Sequence, residues 1–94
     1  MNTFRVQWSE RAKSELADLL TYLDKNYGAD VAIRVLEKTE QLTDSLCNFP
    51  LAFPISDKFS GVRKAVITKQ SSLLYAVRLN TVRILHIWDN RQDV

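Results

Sequence analysis

The last third of the chain constrains its fold most. Gly61-Val62-Arg63-Lys64-Ala65-Val66-Ile67, Leu73-Leu74-Tyr75-Ala76-Val77-Arg78 and Val82-Arg83-Ile84-Leu85-His86-Ile87-Trp88-Asp89-Asn90-Arg91 are short runs rich in β-branched and aromatic residues. Such runs, separated by a few polar residues, predict three strands joined by tight turns. Leu73, Tyr75, Val77 and Leu79 fall on one face of the middle strand. In the last strand Val82, Ile84, His86 and Trp88 alternate with Arg83, Leu85 and Ile87. Asn80-Thr81 is read as the two-residue hairpin between them. Each strand also carries arginine or lysine, with almost no acid. A sheet that displays one sign of charge points to an anionic partner, either nucleic acid or an acidic protein.

The preceding residues predict what covers this sheet. Phe4, Val6 and Trp8 alternate with polar residues, which suits a half-buried strand. Ser9 is placed to cap a helix, and Glu10 suits its positive end. Ala12, Leu16, Leu19, Leu20, Leu23 and Tyr27 then make one apolar stripe from about Glu10 to Tyr27. Gly28 ends that helix. A second helix begins near Ala29 or Asp30, carries Ala32, Val35, Leu36, Leu42 and Leu46, and stops at Phe49-Pro50. Leu51 to Ser60 reads as a loop. The order is β-α-α-β-β-β. This is an α+β fold, a helical hairpin packed on one face of an antiparallel sheet, in a single domain over residues 1–94.

Composition narrows the function. The net charge of +2 divides into −2 over residues 1–55 and +4 over residues 56–94, so the sheet half is the basic half. No apolar run approaches a signal peptide or a membrane span, so no membrane partner is expected. The single cysteine, Cys47, cannot form an intrachain disulfide, fits a reducing cytoplasm and reads as apolar filler. One histidine, one cysteine and scattered carboxylates show no metal-ligand spacing, and no glycine-rich phosphate loop occurs. Neither a metal nor another cofactor is expected.

The early strand ending at Trp8 is followed by Ala17-Asp18-Leu19-Leu20-Thr21-Tyr22-Leu23, Ala32, Leu46 with Phe49-Pro50, Val62-Arg63, the Tyr75 strand and the Ile84-to-Arg91 strand. In this order and spacing the chain resembles the RelE/ParE superfamily of bacterial toxins from type II toxin–antitoxin systems. The resemblance implies a small toxin held in a hetero-oligomer by a cognate antitoxin. It implies one of two activities. RelE-like members are endoribonucleases that cut mRNA, usually on the ribosome, and ParE-like members poison DNA gyrase without being enzymes. Metal-independent RNA cleavage is the first expectation, gyrase poisoning the second, and a degenerate member that only binds its antitoxin the third.

RNA cleavage of this kind needs charge stabilisation at the phosphate and proton transfer at two oxygens. By the resemblance, Arg63 matches the arginine that opens the second strand in RelE-like toxins, and it is expected on a strand face open to solvent. Arg91 matches the basic position after the last strand. Lys58 and Lys64 are candidate phosphate contacts. His86 is the histidine available for acid–base work, or a half-buried packing residue beside Ile84 and Trp88. Asp89 stands where many nuclease members carry a histidine. With an ordinary pKa of about 3.9 it is a poor acid near neutrality and a natural partner for Arg91. Tyr75 matches an aromatic position of the central strand, where it either stacks on a base or fills the core.

Overall fold

The computed structural model describes residues 3–93. Its elements are β1 (Arg5–Trp8), α1 (Glu10–Tyr27), α2 (Ala29–Asn48), β2 (Arg63–Val66), β3 (Ser71–Arg78), β4 (Thr81–Asp89) and a closing 3-10 turn (Asn90–Asp93). Ser9 caps α1, accepting from the Ala12 amide at 3.0 Å. Gly28 separates the two helices at φ 97° and ψ 163°, a conformation reached almost only by glycine. One residue therefore turns the chain between two long helices, which forces them side by side. The Phe49 amide closes α2 on the Ser45 carbonyl at 2.8 Å, and Pro50 prevents another turn.

The strands lie in the order β1-β4-β3-β2. β2, β3 and β4 are antiparallel neighbours, as expected, but β1 pairs with β4 in parallel, so the sheet is mixed. The long helical crossover permits this, since parallel neighbours need a connection far longer than a hairpin turn. Leu73, Tyr75, Val82 and Ile84 face the helices. There they meet Ala12, Val35 and Leu46, and all but Val35 lose essentially all exposure. Cys47 is half-buried, and its carbonyl accepts from the Phe4 amide at 2.8 Å. Among the described residues no helix is long and apolar enough to cross a membrane.

Two details differ from the sequence reading. Arg78 pairs with Thr81, so the hairpin loop is Leu79-Asn80 rather than Asn80-Thr81, and Leu79 sits at φ 56°. The pairing also slips between Leu74, opposite His86, and Tyr75, opposite Ile84. Leu85 is the extra residue of a β-bulge. A one-residue slip reverses the facing of everything beyond it. Ile87 therefore joins Ile84 against the helices, while His86 and Trp88 point the other way. The expected shared face of Ile84 and His86 does not exist.

The bulge lies where β4 becomes an edge. β1 ends at Trp8, opposite Ile84, and the start of α1 takes over the exposed backbone. The Ser9 hydroxyl donates to the Leu85 carbonyl at 3.1 Å, and the Ile87 amide donates to Glu15 Oε1 at 3.0 Å. Side chains thus protect an edge that would otherwise invite another strand.

Candidate functional site

The residues expected to act together fall in three places. The first is under the loop between α2 and β2. Arg63 pairs with Tyr75 across β2 and β3, on the helix-facing side of the sheet. Its Nη1 donates to the Phe53 carbonyl at 2.7 Å and the Leu51 carbonyl at 3.3 Å. The Tyr75 hydroxyl donates to the Pro50 carbonyl at 2.6 Å, and the Phe53 ring meets Tyr75 edge-on. Arg63 is half-buried, not on an open face, because Phe49-Pro50 turns the chain back over the end of β2. Tyr75 is completely buried and offers no surface to a base. Burial pushes its phenol above the ordinary value, against the opposing Arg63 charge and a Phe53 backbone contact.

The second place is the groove between the helical hairpin and the far ends of β3 and β4. It encloses about 730 Å³ and is lined by Leu19, Leu23, Tyr22, Tyr27, Asp89 and Arg91 among others. Tyr22 and Tyr27 are exposed and meet edge-to-face at 6.2 Å. Arg91 forms a bidentate pair with Asp89, Nε to Oδ1 at 2.9 Å and Nη2 to Oδ2 at 2.6 Å. That hydrogen-bonded arginine holds the Asp89 pKa down at about 2, and Asp89 in turn raises that of Arg91. Asp89 pairs with Ser71, four residues along β3 from the Tyr75 level of Arg63. Asp89, which anchors Arg91, is therefore about 13 Å from Arg63 along the strand direction.

The third place is the face of the sheet away from the helices. Lys64 pairs with Leu74 and Leu74 with His86, so Lys64 and His86 share one cross-strand row. His86 Nδ1 is 3.5 Å from Glu15 Oε1, which reaches round the edge of β4. Lys58 is on the loop whose next residue, Phe59, packs edge-on against Trp88 at 5.4 Å. This half of the face is apolar enough to bury Leu74 and Ser72. No group of three or more His, Cys, Asp or Glu residues is placed to hold a metal among the described residues.

Sequence reasoning passed over Glu15, Tyr22 and Tyr27 as functional residues. Glu15 follows the polar face of α1, and only the bulge in β4 brings a backbone amide to it. Tyr27 was legible as part of the apolar stripe and Tyr22 as an aromatic beside it, but neither as the rim of a groove.

The sequence pattern of the ParE toxins of type II toxin–antitoxin parDE systems matches residues 6–94. No curated protein sequence matches the chain. Among solved structures, the chromosomal ParDE system of P. aeruginosa is similar at a TM-score of 0.80 and 15% identity, covering 95% of this chain and 98% of that one. The YoeB/ParE toxin of Agrobacterium tumefaciens is similar at 0.65 and 15%, covering 90% and 96%. The E. coli DinJ-YafQ complex gives 0.65 and 15%, covering 96% of each chain. At these identities the structures share the fold.

Proposed function

The chain belongs to the ParE toxin family of type II toxin–antitoxin systems, and we propose that it acts by binding a protein target, DNA gyrase, rather than by cutting RNA. One observation carries the choice. The arginine that a metal-independent nuclease would aim at the scissile phosphate, Arg63, has its guanidinium against the carbonyls of Leu51 and Phe53. A donor already held by backbone oxygens is not preorganised for a developing phosphate charge. Arg91 is likewise satisfied by Asp89 and lies on the other side of the sheet from His86. The chain's protein partner is an antitoxin, to which the groove rimmed by the exposed Tyr22 and Tyr27 offers an aromatic surface.

A second reading keeps RNA cleavage through His86. Its imidazole lies beside the Glu15 carboxylate and in one row with Lys64, and a carboxylate orients an imidazole for proton transfer. One pair of assays separates the two. Purified protein should inhibit gyrase supercoiling and leave ribosome-bound mRNA intact. Messenger cleavage that disappears in a folded His86→Gln variant, with supercoiling untouched, would replace the first reading by the second.

A further inference from the structure

We propose that Arg5, Arg78 and Arg83 form a binding patch for the phosphate backbone of duplex nucleic acid. The three come from β1, β3 and β4 and share the helix-free face. Arg5 and Arg78 both pair with Thr81, one on each side, so they flank it in a single row. Arg83 occupies the next row on that face, between Gln7 and Ala76. With strands about 4.8 Å apart and alternate residues about 6.6 Å apart, the three Cα atoms form a triangle with sides of roughly 8–10 Å. All three side chains are exposed, and among the described residues none has an acidic partner. The carboxylate within these three strands is Asp89, at the far end and paired with Arg91.

The composition of the patch selects the occupant. Its other side chains are Gln7, Thr81 and Ala76. Gln7 Oε1 accepts from Arg83 Nη1 at 3.3 Å, which steadies the guanidinium and leaves the Gln7 amide group to donate. Arginine, glutamine and threonine are the residue types that contact phosphates. A protein interface of useful affinity needs an apolar or aromatic centre, and these two rows have none. Recognition of single strands needs aromatic platforms. The aromatic pair on this face, Phe59 and Trp88, lies at its opposite end. What remains is cation-to-phosphate contact without base stacking, the pattern of duplex backbone binding. On the reading proposed above, the patch holds DNA carried by the target while other surfaces meet the target protein. The patch itself is tested without that target.

The test is fluorescence anisotropy with a labelled 20-base-pair DNA duplex across 50–200 mM salt. Three phosphate contacts give a slope of log affinity against log salt of about −2.7, a loss of about 40-fold over that range. Arg5→Gln/Arg78→Gln/Arg83→Gln should abolish most of the affinity and flatten the slope. Arg83→Gln alone should reduce the slope by about 0.9. Circular dichroism melts confirm that each variant is folded, and the single variant decides the matter should the triple one fail to fold. An absence of duplex binding, an unchanged slope in the variants, tighter binding to the single strand, or equal competition by a polyglutamate peptide would each overturn the patch. Wild-type protein that inhibits gyrase but ignores duplex refutes the patch alone. Duplex binding that depends on these arginines, without gyrase inhibition, refutes the target reading alone.

Discussion

Replacing Arg63 by alanine separates a structural arginine from a catalytic one by stability alone. A phosphate ligand on an open strand face would leave folding nearly unchanged, within about 0.5 kcal/mol. The observed geometry implies more. A hydrogen bond from a charged donor contributes about 1.5–3 kcal/mol, and the 2.7 Å bond to the Phe53 carbonyl is of that kind and part-buried. The 3.3 Å bond to the exposed Leu51 carbonyl adds little. A loss of about 2 kcal/mol is expected. For a domain of this length that lowers Tm by roughly 8–16 °C. Tyr75→Phe removes a second tether of the same loop, the buried 2.6 Å bond to the Pro50 carbonyl, and should cost about 1–3 kcal/mol. Because both anchors hold residues 50–53, the double variant should lose less than the sum, by about 0.5 kcal/mol or more. Urea and thermal melts of the two single variants and the double one are the measurement. An Arg63→Ala protein that melts within about 2 °C of wild type would refute the loop-anchor assignment and return Arg63 to the list of candidate phosphate ligands.

Further outcomes follow from other parts of the fold. Glu15→Ala strips the acceptor from the Ile87 amide, so that amide should exchange its hydrogen faster and the protein should lose about 1–2 kcal/mol, whereas Glu15→Gln should retain most of both. Leu79, at φ 56° and fully in solvent, occupies a left-handed position that costs a leucine about 1 kcal/mol, so Leu79→Gly should hold or raise Tm. The Asp89 carboxyl has a folded pKa below its unfolded value. Its pair with Arg91 is therefore complete above about pH 4 and is lost as pH falls through about 2. An NMR titration should place its midpoint near 2 and return it towards 3.8 in Arg91→Gln, and a wild-type midpoint already near 3.8 would show the pair to be absent in solution.

The two helices and the order of elements along the chain were legible because their signals are local. Ser9, Gly28 and Phe49-Pro50 fix the helix ends through backbone geometry that depends on a few neighbouring residues. The bulge at Leu85 carries no such signal. Nothing in Ile84-Leu85-His86 marks an extra residue, since it arises where β1 stops at Trp8 and α1 begins to supply Ser9 and Glu15 to the β4 edge. The parallel pairing of β1 is equally a matter of tertiary return, invisible in the alternation of Phe4, Val6 and Trp8.

The bulge also changes where the candidate site residues lie. Strict alternation assigns His86 to the core with Ile84 and leaves Arg63 among solvated strand residues. One inserted residue turns His86 and Trp88 outward, and the fold of residues 49–56 back over β2 turns Arg63 into a half-buried tether. The same two events divide the basic character of residues 56–94. Arg63 is tied up by backbone carbonyls and Arg91 is paired with Asp89, whereas Arg78 and Arg83, joined by Arg5 from the acidic half, keep their charge open to solvent. A count of cations along the chain therefore does not distinguish arginines held by the fold from those facing solvent. On the patch proposed here, the ones that attract a polyanion are those to which, among the described residues, the fold supplies no carboxylate and no backbone carbonyl.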